Sequence, residues 1–218
     1  NYLSFFDDLC KWVVEIDDVK RIPELLHRAF HIARSGRPGP VVVSLPEDMQ
    51  DDFIEENVYE PIRIGSVLPD EEIVNDIHHE LKKAKKPVII AGGGVIAANA
   101  SDNLVKLSEN YNIPVVTAFR RFHAFPNDHQ NYIGTLGIGA RESLLSYIKD
   151  SDLVLAIGTK FSQMTTADYT ILNDESRLIH VDISPDVIGR VYTPYLSLVA
   201  DANAFLNSLL KLTDSDQV

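Results

Sequence analysis

The sequence predicts a doubly wound α/β fold, a parallel sheet with helices on both faces, preceded by a partial β-α-β unit of another α/β domain. Three observations carry that prediction. Short strands of continuous rather than alternating apolar residues recur between helical stretches, which indicates a parallel sheet covered on both sides. Ser35-Gly36-Arg37-Pro38-Gly39-Pro40 runs into Val41-Val42-Val43-Ser44-Leu45-Pro46, so a helix stopping at glycine, a stiff corner and a buried strand close one unit. From Glu47 to about Pro69 the periodicity is lost and acids accumulate at Asp48, Asp51, Asp52, Glu55 and Glu56, as in a solvated linker. The chain is accordingly expected to start inside a domain.

Taken in order, Lys11 to Ile16 reads as a strand, and Asp17 or Asp18 can cap the helix that follows by accepting from its free amides. In that helix Ile22, Leu25, Leu26, Ala29, Phe30 and Ala33 share one stripe at 3.6-residue spacing, ending at Gly36. Residues 1–46 are thus expected to end one domain, 47–69 to link, and 70–218 to form the second domain. Past Pro69, Ile73, Ile77, Leu81 and Ala84 line a helix leading into the strand Pro87 to Ala91. Further strands are expected at Pro114 to Ala118, Leu153 to Ile157, Leu178 to Val181 and Leu196 to Val199, with helices such as Ala140 to Asp150 and Ala202 to Leu212 between them.

Composition narrows the function classes. The 218 residues are 45% hydrophobic and 24% charged, enough to bury a full core and to make roughly one and a half domains. The net charge of −12 disfavours nucleic acid and anionic membrane surfaces as partners. Cys10 is alone and makes no internal disulfide, and no apolar run has the length of a membrane span or a signal core, so a cytoplasmic location is expected. The opening Asn1 and the lack of a targeting pattern are read as those of a piece of a longer polypeptide.

In a doubly wound, Rossmann-like sheet, ligands bind beyond the carboxyl ends of the strands, where glycines let a phosphate approach amides at a helix start. Two turns qualify. Gly92-Gly93-Gly94-Val95-Ile96-Ala97 follows a strand and fits a loose G-x-G-x-x-G/A pattern, but about twenty residues on, where a dehydrogenase places an acid on the ribose, stand Thr117, Ala118 and Phe119. A nicotinamide site at this turn is disfavoured. Gly158-Thr159-Lys160 follows the strand ending at Ile157, and Asp182 lies 24 positions after Gly158 (182 − 158), the acid the first turn lacks. Asp201 either caps the final helix or faces the same crevice. For each glycine turn the competing explanation is a tight connection without ligand, and for Asp182 and Asp201 it is capping.

The stretch Arg120 to His129 reads as a long polar loop, and long loops are often functional. His123, Asp128 and His129 lack a fourth ligand and fixed geometry, so no metal site is assigned there. His27 and His31 lie opposite the apolar stripe on an expected solvated face, and His180 reads as a hydrogen-bonded core or edge residue. No nucleophile elbow, Walker loop, CxxC or HExxH pattern occurs, and no catalytic residue is assigned to the chain.

With these residues in place, the chain resembles the thiamine-diphosphate-dependent enzymes of the acetolactate synthase group. Lys11-Trp12, the helix to Gly36-Arg37-Pro38-Gly39-Pro40-Val41 and Leu45-Pro46-Glu47-Asp48 look like the last part of the pyrimidine-binding domain. Lys86-Pro87, Gly92 to Gly94, Ile113-Pro114-Val115, Phe125-Pro126 with His129 and Gly134, Ser151-Asp152-Leu153, Ile157-Gly158-Thr159, His180-Val181-Asp182-Ile183 and Asp201-Ala202 look like the central domain.

The resemblance implies a parent transferase or lyase that joins or cleaves bonds next to the carbonyl of a 2-oxo acid, with thiamine diphosphate and Mg²⁺. It implies N- and C-terminal domains of the same polypeptide as partners, and a homo-oligomer, dimer or tetramer. Family members hold Mg²⁺ with a Gly-Asp-Gly segment that this sequence lacks, and use a glutamate earlier in the pyrimidine domain than its first residue. The chain alone is therefore expected to be inactive, a structural layer with FAD or ADP as candidate ligands of the central crevice. The positions matching such contacts are Arg37, Gly92, Gly93, Gly94, Thr117, Ala118, Phe119, Gly158, Lys160, Asp182 and Asp201. Lys160 stands where FAD-binding members often carry arginine, and lysine lacks the planar fork arginine offers to phosphate. Ser162 to Thr166 replaces their acidic Asp-Asp-Arg.

The alternative from a different class is a stand-alone nucleotide-binding module of the electron-transfer flavoprotein or sirtuin-like type. The segment before Pro46 separates the two, because such a module has no need of an extra strand-helix-strand unit.

Overall fold

The computed structural model describes residues 1–54, 60 and 62–215; Glu55 and Glu56 of the acidic run and the end of the second expected domain lie outside the described residues. The chain divides into two compact units, Asn1–Gly65 and Ser66–Val218.

The first unit contains α1 (Tyr2–Phe6), β1 (Trp12–Glu15), α2 (Ile22–Arg34) and β2 (Val41–Ser44). The strands pair in parallel from Trp12 opposite Val41 to Glu15 opposite Ser44. Asp18, one of the two candidate caps, accepts from the Lys20 amide at 2.9 Å, but it opens a 3-10 turn at Val19–Arg21 rather than α2 itself. Pro23 then sits in the first turn of α2, where a missing N–H costs nothing. The Lys11 ammonium donates to the carbonyls of Ile32 and Ser35, at 2.5 and 2.6 Å, which satisfies the negative end of the helix. The apolar stripe is narrower than its spacing suggests. Leu25 and Ala29 are buried, whereas Leu26 and Phe30 are 41% and 69% exposed. Two strands about 5 Å apart cover only a thin band of a helix. His27 and His31 are correspondingly half-buried instead of solvated, with His27 Nε2 3.0 Å from the Glu60 carbonyl oxygen.

The second unit runs α3 (Glu71–Lys83), β3 (Pro87–Ala91), α4 (Gly93–Ala97), α5 (Ser101–Tyr111), β4 (Val115–Thr117), β5 (Tyr132–Thr135), α6 (Glu142–Lys149), β6 (Leu153–Ile157), β7 (Arg177–Asp182), β8 (Leu196–Val199) and α7 (Ala202–Ser215). Its six strands lie in the order β5-β4-β3-β6-β7-β8, every neighbouring pair parallel. Successive strand residues feed opposite layers. Ile89, Leu155 and Ile179 pack with Ile77, Leu104 and Phe205 of α3, α5 and α7, while Ile90, Val154 and Leu178 pack with Ile148 of α6 and with Phe161 and Ile171. Both faces of the sheet are thus buried at its central strands, which is why β3 and β6 read as unbroken apolar runs.

Polar side chains fix the ends and the helix contacts. The Asp152 carboxylate accepts from the Lys85 and Lys86 amides at 2.6 and 2.9 Å, joining the amino ends of β3 and β6. Asn103 donates to Asn203 and Asn207 across α5 and α7. Asp70 caps α3, accepting from the amides of Glu72 and Ile73. Asp70→Ala is expected to cost about 1 kcal/mol, read as a lower urea midpoint with an unchanged slope. Among the described residues no helix is long and apolar enough to cross a membrane.

Candidate functional site

The strand order reverses between β3 and β6: the chain leaves β3 for β4 on one side and later returns to place β6 on the other. In an open parallel sheet the crevice at such a switch point, beyond the carboxyl ends, is where ligands settle. Both glycine turns lie there, Gly92–Gly94 after β3 and Gly158–Lys160 after β6.

The two turns interlock. Gly92 N donates to the Ile157 carbonyl at 2.9 Å, and Gly94 N to the Gly158 carbonyl at 3.0 Å. A Cβ on Gly92 would stand 2.2 Å from the Gly158 oxygen, and one on Gly94 2.6 Å from the Gly158 Cα. Gly158, at φ +62°, donates its own amide to the Val181 carbonyl at 2.8 Å. These three glycines are needed for backbone-to-backbone approach, and those amides serve the protein itself. Only Gly93 turns outward, and the Arg121 side chain lies over it, 2.8 Å from where a Cβ would stand. The second turn does not open a helix: residues 161–176 form turns and irregular chain, including left-handed Ala167, Asp168 and Tyr169 at φ +46°, +58° and +65°. Thr166 Oγ1 accepts the Tyr169 amide at 3.0 Å and helps hold that unusual run.

Thr117, Ala118 and Phe119 flank the first turn, since Ala118 N donates to the Ala91 carbonyl at 2.9 Å. Thr117 is buried, and the Phe119 ring packs onto Gly137 with the Arg120 guanidinium 5.1 Å from its centre. Asp182 ends β7 and accepts the Ser184 amide at 2.9 Å. Asp201 takes the first of its two expected roles and caps α7 through the Ala204 amide at 3.0 Å. Lys160 is exposed beside the second turn. Arg37 belongs to the first unit and the other candidates to the second.

The loop from Arg120 to His129 is less polar in space than in sequence. Ala124 and Phe125 are buried in the core, and His129 supports the chain around them, its Nδ1 accepting the Asn131 amide and its Nε2 lying 3.2 Å from Glu109. Among the described residues no group of three or more His, Cys, Asp or Glu side chains is arranged to hold a metal ion. His180 is buried, with Nε2 2.9 Å from the Thr159 carbonyl oxygen, and burial pulls its pKa below the ordinary imidazole value against the opposing pull of that bond and of Asp182. Neither Arg121 nor His180 was assignable to the crevice from sequence. The one available signal was a consecutive arginine pair in a chain of net charge −12.

Fold and site together define a doubly wound α/β domain whose two glycine turns meet at the switch point of the sheet. Residues 74–209 match the family model for the central domain of thiamine pyrophosphate enzymes, and the chain belongs to that family. It is 37% identical over 216 residues to a probable acetolactate synthase large subunit of Methanocaldococcus jannaschii, covering 95% of this chain and 36% of the relative. It is 34% identical over 210 residues to a glyoxylate carboligase of Escherichia coli O157:H7, covering 95% of this chain and 35% of the relative. Benzoylformate decarboxylase of Polynucleobacter necessarius superposes with a TM-score of 0.78 at 28% identity, covering 93% of this chain and 38% of that one. The chain spans about a third of the length of the curated relatives it matches. These comparisons give no support to an electron-transfer flavoprotein or sirtuin-like module.

Proposed function

We propose that the chain is the structural middle layer of a thiamine-diphosphate-dependent carboligase or decarboxylase acting on 2-oxo acids, with a crevice that accepts a nucleotide diphosphate such as ADP or the ADP half of FAD. The observation that carries the reading is a central-domain sheet whose order reverses where two glycine turns meet. Glyoxylate and benzoylformate, named in two of the relatives, are both 2-oxo acids. On this reading residues 1–46 close a pyrimidine-binding domain, 47–69 link, and 70–218 are the central domain. The assembly is a cytoplasmic dimer or tetramer.

When bound, thiamine diphosphate supplies a nucleophilic carbon and an electron sink. The residues present do not fit it: the sequence contains no Gly-Asp-Gly segment to hold its Mg²⁺, and no step of the chemistry is assigned to this chain.

A nucleotide does fit the donor set. Arg121 over Gly93 and Lys160 beside the opposite turn offer cations to a diphosphate, Asp182 an acid to ribose hydroxyls, and Phe119, backed by the buried Thr117 and Ala118, a wall beside the base. Gly92, Gly94 and Gly158 shape the crevice without donating those amides to it.

Titration of the purified 218-residue chain with ADP and with FAD tests the crevice. A saturable rise in melting temperature is expected, reduced in Asp182→Asn. No shift with either ligand overturns the nucleotide reading. With thiamine diphosphate, Mg²⁺ and a 2-oxo acid, the same chain is expected to show no turnover, and measurable carbon dioxide release refutes the assignment of a purely structural role.

A further inference from the structure

Arg120 and Arg121 follow β4 at its carboxyl end, and both are exposed. Their backbone is fixed: the Arg121 amide donates to the Ala118 carbonyl at 3.0 Å, and the amide of the buried Ala124 donates to the Arg121 carbonyl at 2.9 Å. Arg120 stands at φ +58°, a left-handed conformation that crowds its Cβ and that glycine would adopt without strain. Its guanidinium lies 5.1 Å from the Phe119 ring centre, a contact that holds the charge in place without neutralising it. The Arg121 side chain lies over Gly93, with Nε 2.8 Å from where a Cβ would stand, and its Nη1 donates to the Arg120 carbonyl at 3.1 Å. Among the described residues neither arginine has a carboxylate partner, although Asp and Glu outnumber Lys and Arg by 32 to 20. Arg21 and Arg177, by contrast, pair with Asp17 and Glu80 respectively. Two adjacent cations, one of them in a strained conformation, are thus held beside the outward-facing glycine of the crevice with no acid to balance them.

We infer that Arg121, backed by Arg120, is a specificity-determining residue of the crevice, selecting a nucleotide that ends in a free terminal phosphate, such as ADP. It selects against a monophosphate and against a nucleotide whose diphosphate is bridged to a second group, as in FAD. The inference rests on the nucleotide reading and deepens it, since neither arginine belongs to the contact set that the family resemblance implies. A terminal phosphate presents three acceptor oxygens and about −1.5 to −2 charge near pH 7, whereas a bridged phosphate keeps two free oxygens and a single charge. The planar fork of Arg121 fits two of those oxygens at once, and Arg120 balances the charge that one guanidinium leaves over. Reach separates ADP from a monophosphate. Asp182 ends β7, and the order β3-β6-β7 puts Gly93 two strand spacings away, roughly 10 Å. A single phosphate on a ribose held at Asp182 falls short of Arg121, and a second one reaches it.

Calorimetric titration of the whole purified chain with ADP, AMP and FAD at low ionic strength reads the selection. ADP is expected to bind roughly 10-fold or more tightly than either of the others. Arg121→Ala is expected to weaken ADP by roughly 10- to 100-fold and to leave AMP and FAD within about 3-fold, so that the preference vanishes. Arg121→Lys keeps the charge without the fork and is expected to retain only part of the preference. Gly93→Ala displaces the guanidinium from its seat but leaves its charge, and is expected to lower the preference as well. Because Arg121 is exposed, its unliganded variants are expected to melt within about 3 °C of the wild type, so a loss of ADP binding is not a loss of fold. Wild-type ADP binding no tighter than that of FAD or AMP, or a preference that survives Arg121→Ala, overturns the selection and leaves the nucleotide reading standing. Absence of binding by all three ligands overturns that reading, and the selection with it.

Discussion

Gly158→Ala is expected to lower the melting temperature of the second unit by on the order of 10 °C, from a loss of about 3–5 kcal/mol. The new methyl carbon would stand 2.4, 2.7 and 3.0 Å from the Cα, N and carbonyl carbon of Gly94. All three are backbone atoms of a turn already bonded to β6, so nothing can swing aside. Relief requires the turns to part, which breaks the bond from Gly94 N to the Gly158 carbonyl and strains that from Gly92 N to Ile157. The left-handed φ of +62° adds about 1 kcal/mol for any residue with a Cβ. Gly93→Ala is expected to cost far less, since the atoms it meets belong to the flexible Arg121 side chain, and Gly65→Ala almost nothing, since no atom lies within 4 Å. Calorimetry on the ligand-free proteins checks the ranking. If Gly158→Ala melts within about 3 °C of the wild type, the interlock does not explain these glycines.

Phe125→Ala is expected to cost about 3–5 kcal/mol, as removal of a fully buried aromatic side chain does elsewhere. Phe125 is 1% exposed, stacked on Tyr132 with centroids 6.4 Å apart and edge-on to His129 at 5.1 Å. It is the anchor between β4 and the edge strand β5, whose few backbone bonds include Leu136 N to the Thr117 carbonyl. Its loss is expected to free β5 first, so amides from Tyr132 to Leu136 should lose hydrogen-exchange protection before those of β6. Urea unfolding measures the global loss. A variant within about 1 kcal/mol of the wild type means the loop is held by something other than this ring.

Elements that depend on neighbours in sequence were legible in advance. The predicted strand at Leu196 to Val199 matches β8 residue for residue, and those at Pro87 to Ala91 and Leu153 to Ile157 match β3 and β6. The last two are unbroken apolar runs, a pattern that burial on both faces imposes locally, whereas β8 carries Ser197 and is buried only at Leu198. β5 escaped detection because Tyr132–Thr135 is only half-buried and carries Gly134 at its centre. Residues 161–176 escaped because a turn built on left-handed Ala167, Asp168 and Tyr169 lacks the glycine that would announce it. Phe125 was visible as a residue, but its burial depends on Tyr132 and on a core formed by distant helices.

The sequence by itself determined the class of fold, the glycine turns at the carboxyl ends of β3 and β6, and the family, since hydrophobic period and turn chemistry act over a few residues at a time. Only the tertiary structure decided what those glycines do. Gly94 and Gly158 are separated by more than sixty positions, and their contact exists because β3 and β6 pair side by side at the reversal of strand order. Pairing of β3 with β4 brought Arg121 over Gly93, and pairing of β6 with β7 set His180 beside the Thr159 carbonyl. Close approach between residues far apart in the chain leaves no periodic trace in the sequence, because it is a property of the packed sheet.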